Sequence, residues 1–140
     1  MKSTLLAIFA LLFAIGIAGA EPPQDDPLRD YVFPPESVMQ NQQALGLSDD
    51  QKAYLKTEMR QAQTHFTELQ WKLQDEMERL VSLLKPPKID EQQALGQLEK
   101  VLSAEREIKH TQMSLLIRIK NHLTADQQAR LQEIQKRSSK

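Results

Sequence analysis

The sequence contains no cysteine. No disulfide can brace the fold, so packing alone must hold it. Thiolate metal sites, a cysteine nucleophile and a lipid anchor on an N-terminal cysteine are excluded by the same absence. There is no glycine-rich phosphate loop, and no recognisable motif places a Ser/His/Asp set. Carboxylates are scattered along what read as solvated helical faces, so no enzyme is expected. Positive charge is not in excess either: the formal net charge is −1. Nucleic acid therefore has no electrostatic case as a partner. Charge is uneven along the chain, with Glu21, Asp25, Asp26, Asp30 and Glu36 near one end and Lys136, Arg137 and Lys140 at the other. Both runs read as solvated tails.

The one long apolar run lies in residues 1–20, where Lys2 precedes Leu5 through Ile17 and Ala18-Gly19-Ala20 follows. Small residues at −3 and −1 suit signal peptidase, so export with cleavage after Ala20 is expected. The run is shorter than the roughly 20 apolar residues of a spanning helix. An uncleaved inner-membrane anchor is the alternative. Losing Lys2 with the signal takes the charge from −1 to −2.

Residues 21–33 are acidic and Pro-rich and read as a flexible leader. Pro34-Pro35-Glu36 can start a short helix carrying Val38, Met39 and Leu45 inward, with Gly46 as its stop. A long arm over residues 49–84 then places Leu55, Met59, Ala62, Phe66, Leu69, Leu73, Met77, Leu80 and Leu84 three or four apart. That is a helical seam of near-heptad period. Lys85-Pro86-Pro87-Lys88 breaks it, and Asp90 caps a second arm over residues 91–122. This arm opens on Leu95, Leu98 and Leu102 and widens into Met113, Leu115, Leu116, Ile117 and Ile119, where the helices are expected to meet. Gly96 interrupts it, a hint of close helix approach. Gln-Gln-Ala-Leu-Gly occurs at 42–46 and 92–96, once ending a helix and once inside one, and reads as coincidence.

Two near-copies of one signal bracket this hairpin. The first is Leu47-Ser48-Asp49-Asp50-Gln51 and the second Leu123-Thr124-Ala125-Asp126-Gln127. Each sets a hydroxyl at an N-cap with glutamine three residues on, the pattern of a capping box. Asp49, Asp50 and Asp126 lie in first turns, where the helix dipole favours them. Lys52 and Gln128 cannot complete hydrophobic staples, so Leu47 and Leu123 must pack on the hairpin itself.

The paired boxes, the hairpin and the export signal resemble the LTxxQ-motif family of periplasmic proteins. That family includes the Spy and CpxP chaperones and related heavy-metal resistance sensors. The resemblance covers about residues 34–136, with serine for threonine in the first copy, and leaves residues 137–140 as a basic tail. It implies an all-α fold of four helices, a long antiparallel hairpin with a short helix before and after it, in an intertwined homodimer. It also implies a periplasmic, ATP-independent chaperone or envelope-stress adaptor whose partners are unfolded clients and a membrane sensor protein. The alternative is a heavy-metal-responsive sensor or resistance protein. In the metal-sensing relatives the ligands map by counting onto Val38, Gln42, Met59, Leu115 and Ile119. None keeps the family's ligand type, although Met59 offers a thioether, and no cofactor is expected.

Among other candidates, His65 and His110 fall at one level of the hairpin, with Met113 one turn on. Imidazole and thioether together would suit copper. By a count of about 100° per residue, His65 lies some 70° and His110 some 140° from its seam. Both therefore point mostly outward, as surface histidines. Met59 and Met77 sit on the seam and read as core. Trp71, the sole tryptophan, lies opposite its seam among polar residues. It is either a stray exposed aromatic or a contact for a partner.

Overall fold

The computed structural model describes residues 27–139, and these form five helices and no strand. The apolar segment 1–20, its cleavage site and leader residues 21–26 lie outside the described residues. Helix α1, Pro35–Gln40, starts with proline in its first turn, where the missing N–H costs nothing. The single short helix expected here is in fact two. At Asn41 the chain leaves helical geometry (φ −102°, ψ 16°), and its amide Nδ2 donates to Ser37 O at 2.8 Å. Helix α2, Gln42–Leu45, then stops at Gly46, whose φ of 61° suits glycine. Gly46 N–H donates to Gln43 O and Leu47 N–H to Gln42 O, both at 3.1 Å. This is the Schellman pattern, which satisfies orphan carbonyls.

Helix α3, Asp49–Leu84, has 36 residues, and helix α4, Glu91–Asn121, has 31. Joined by the proline turn, they pack along one another as an antiparallel hairpin. At 1.5 Å rise per residue α3 is about 54 Å long. Asp90 Oδ1 caps α4 by accepting from Gln93 N–H at 3.1 Å. Helix α5, Ala125–Ser138, runs slightly past the expected end and takes in Lys136 and Arg137, which lie in its last turn. Cations there complement the dipole.

The core is concentrated at the open end of the hairpin. Phe33, Val38, Leu45, Leu47, Leu55, Ile119, Leu123 and Leu131 form one buried cluster, with Met39 and Leu115 against it. All five helices or their junctions contribute, and Leu47 and Leu123 find the packing that their missing staples left open. Phe33, placed by sequence in the leader, is fully buried here. The chain before it is held by its carbonyls: Lys120 Nζ donates to Tyr31 O at 2.6 Å and Gln132 Nε2 to Asp30 O at 3.1 Å. A second, smaller cluster of Leu73, Val101 and Ala104, with Met77, Leu80 and Ile108, holds the arms together.

The first arm buries its seam as read, at Leu55, Ala62, Leu69 and Leu73, although Leu84 at its end is exposed. The second arm differs. Its buried line is Ala94, Gln97, Val101, Ala104 and Ile119, while Leu95 and Leu102 are 52% and 38% exposed. The helix is turned by roughly one residue, about 100°, from the leucine seam. The reason lies in Gln97, whose Nε2 donates to Glu76 O at 2.8 Å and to Glu76 Oε2 at 2.6 Å. Small Ala94 and Ala104 on the same line fit against the facing arm where leucines would hold it off. Gly96 marks no close approach, since a Cβ there would meet nothing within 4 Å.

Every described helix and both clusters lie between Phe33 and Ser138, so a chain beginning at Glu21 keeps all of them. In urea unfolding of that chain, Phe33→Ala is expected to cost about 3–5 kcal/mol, the loss of a large buried side chain. Gly96→Ala is expected to stabilise by up to about 1 kcal/mol, because helix propensity improves in open space. A neutral Phe33→Ala would show that the leader's end is not part of the core.

Candidate functional site

Both capping boxes form. Gln51 N–H donates to Ser48 Oγ at 3.1 Å and Ser48 N–H to Gln51 Oε1 at 3.0 Å. In the second copy Gln127 N–H donates to Thr124 Oγ1 at 3.2 Å and Thr124 N–H to Gln127 Oε1 at 2.9 Å. What sequence reasoning missed is that the two boxes bind each other. Gln51 Nε2 donates to Gln127 Oε1 at 2.8 Å, and Gln127 Nε2 donates back to Gln51 Oε1 at 3.0 Å. The second hydrogens go to backbone carbonyls: Gln51 Nε2 to His122 O at 2.9 Å and Gln127 Nε2 to Leu45 O at 3.4 Å. Each amide thus uses two donors and accepts twice, its full usual complement. The Tyr54 and His122 rings stack beside this junction, with centroids 3.7 Å apart and planes 17° apart.

This geometry explains glutamine at the third position. A capping box accepts glutamate equally well, but a carboxylate has no hydrogens for Leu45 O, His122 O or the facing amide. The available signal was glutamine in both copies. Gln127 is 7% exposed, so losing its amide leaves buried groups without partners. The junction is structural rather than chemical: it ties the start of α3 to the start of α5 and the end of α4.

The hairpin has two unlike sides. On one, polar groups bridge the arms: Arg118 Nη1 donates to Glu58 Oε2 at 3.1 Å, Lys72 Nζ to Glu107 Oε1 at 3.1 Å, and Gln97 to Glu76. His65 and His110 lie on this side. Both line one open groove of about 340 Å³ with Glu58, Gln61, Thr111, Ser114 and Arg118. His65 Nδ1 is 3.8 Å from Glu68 Oε2 on its own helix. Both histidines are exposed and Met113 is half-buried. By the count of about 100° per residue, Met113 falls toward the opposite side from the groove. Among the described residues no three His, Asp or Glu side chains are grouped to hold a metal.

On the other side the arms carry the displaced leucine stripe. Leu95 and Leu102 are exposed and Leu98 half-buried, with Val81 46% exposed on α3. Trp71 is 63% exposed, on the outer edge of α3 away from α4, as its offset from the seam requires.

Three of the five positions where resemblance put metal ligands meet in space, but as hydrocarbon. Val38 and Ile119 are buried in the open-end cluster and Leu115 packs against it. Gln42 and Met59 are half-buried. Three aliphatic side chains have no lone pair to offer, and burial of a divalent cation among them would be costly. The residues present do not fit such a metal.

Two outcomes are expected from these sites. Gln51→Ala and Gln127→Ala should each cost about 1–3 kcal/mol in urea unfolding. The double substitution should cost clearly less than their sum, because each removes the same amide pair. Calorimetric titration with Ni²⁺, Co²⁺, Cu²⁺ and Zn²⁺ should give no binding tighter than roughly 10 µM. A tight stoichiometric site would contradict the reading of both the groove and the core.

Comparison with known proteins gives a single kind of match. The profile of a family described as heavy-metal resistance matches residues 2–130. No curated protein and no solved structure matches the chain. Proteins of this family are generally exported, and among the described residues no helix is long and apolar enough to cross a membrane. With two LTxxQ-like boxes closing a helical hairpin and a match over most of its length, the chain belongs to the heavy-metal resistance family, which includes the LTxxQ Spy/CpxP-like periplasmic proteins.

Proposed function

We propose that the protein is an ATP-independent chaperone or stress adaptor of the periplasm that binds unfolded or stressed proteins without catalysis. The observation that carries this reading is the apolar flank of α4, exposed Leu95 and Leu102 with half-buried Leu98 between them; Trp71 is a separate exposed aromatic on the outer edge of α3. Contiguous apolar surface marks interaction sites, and its attraction is non-directional enough to accept many sequences. Half-buried Met59, Met77 and Met113 add adaptable side chains to the hairpin. With no nucleotide loop in the sequence, holding must come from this surface alone.

Electrostatic capture should be modest. Of the cations along the arms, Lys72 pairs with Glu107 and Arg79 with Glu76 at 3.5 Å. Lys100 and Arg106 are exposed and speed encounter with acidic clients in a salt-sensitive way. The mature charge of −2 keeps that effect weak.

A homodimer is part of the same proposal. A hairpin burying one stripe per arm has a modest core for its length, and the family resemblance supplies a second copy as the partner of Trp71. A membrane sensor protein is a further partner under the adaptor reading. The rival reading, a heavy-metal-responsive envelope protein, has the family description in its favour. The aliphatic ligand positions count against it.

Two measurements test the proposal. At near-stoichiometric ratio and without nucleotide, the chain from Glu21 is expected to delay heat aggregation of several chemically different clients. Failure with all of them removes the chaperone and leaves the adaptor. Light scattering at tens of micromolar is expected to give a dimer that Trp71→Ala weakens, and a monomeric wild-type chain would defeat the dimer.

A further inference from the structure

The end of the hairpin farthest from the main core combines three features. Val81, Leu84 and Ile89 are 46%, 48% and 45% exposed there, each leaving about half of its surface to solvent. Lys85 and Lys88 stand between Leu84 and Ile89, are exposed, and form no hydrogen bond or ion pair among the described residues. Pro86 and Pro87 join the two lysines, and their fixed φ angles stiffen the turn. The result is a narrow apex of branched hydrocarbon flanked by two ammonium groups on long, flexible stems.

The acidic groups nearby are Asp90 and Glu91. Asp90 Oδ1 is already engaged as the cap of α4, and Glu91 lies in the first turn of that helix. There the positive end of the helix dipole offsets their charge. Lysines can extend to a surface while their stems stay on hydrocarbon, whereas these carboxylates are short or held back at the helix start.

We propose that the hairpin tip docks on an anionic phospholipid bilayer. Leu84 and Ile89 enter the headgroup boundary, Val81 follows one turn behind, and Lys85 and Lys88 meet lipid phosphates. Shallow insertion of apolar groups combined with lysine–lipid attraction is the physics of interfacial binding. The lysines decide between a lipid surface and a purely apolar partner, since an apolar partner would leave both ammonium groups facing hydrocarbon. Two lysines and three aliphatic groups make a weak contact. The tip therefore samples the surface and does not anchor the protein. This docking is independent of the chaperone reading, because it uses the apex and not the leucine flank.

The test is co-sedimentation of the chain from Glu21 with vesicles of phosphatidylcholine, with and without phosphatidylglycerol. Binding is expected only to the anionic vesicles at millimolar lipid, and added salt should weaken it. Lys85→Glu with Lys88→Glu should lower it by about tenfold or more. Leu84→Ser with Ile89→Ser should lower it comparably. The lysines are exposed and the two apolar side chains only about half covered, so circular dichroism should stay unchanged and urea unfolding should fall only slightly, excluding misfolding. In a Trp71→Phe background, Ile89→Trp should be quenched by brominated lipid. Equal binding to neutral vesicles, or binding that survives both double substitutions, overturns the proposal. So does a cross-linker placed at residue 89 that captures a second copy of the chain instead of lipid, which would make the apex a chain–chain contact.

Discussion

The reciprocal amide pair between Gln51 and Gln127 is the contact on which the remaining architecture depends. It lies where four helix ends converge, and each helix end carries backbone groups with no partner of its own. Two capping boxes settle the N–H groups of α3 and α5. The outward amide hydrogens settle the carbonyls of His122 and Leu45, at the ends of α4 and α2. One pair of side chains thus closes four helix termini around the main core. Leu47 and Leu123, each just before a cap, are carried into that core by the same geometry.

Away from this junction the hairpin is thinner and is held differently. Its second cluster is small, and the arms are otherwise linked by polar bridges on one side. Buried Gln97, bonded to both the backbone and side chain of Glu76, selects the rotation of α4. That choice has a surface consequence. Turning the small residues inward turns Leu95 and Leu102 outward and creates an apolar flank in place of a second leucine seam. The exposed flank and the polar brace are two results of one packing decision.

Aliphatic residues at Val38, Leu115 and Ile119 convert what would be ligand positions into core. A fold held by hydrocarbon at that point needs no ion to complete it. The two histidines that do share a groove lie on the braced side, beside the Glu58–Arg118 pair.

Much was legible from local chemistry. Hydroxyl, acid and glutamine at fixed offsets announced three helix starts. The proline turn and Gly46 announced two ends, and apolar spacing outlined the first arm, because each of these depends on a few neighbouring residues. The exposure of Trp71 followed from the same angular counting. Tertiary structure alone decided the rest. It split the helix at Asn41, buried Phe33 from a segment whose composition reads as leader, joined the two glutamines across 76 residues of sequence, and rotated the second arm. Each of these is a choice among packings of similar local cost. A leucine stripe and an alanine–glutamine line on one helix are both consistent with its periodicity. Only the facing arm, by offering Glu76 and close contact to small side chains, determines which one is buried.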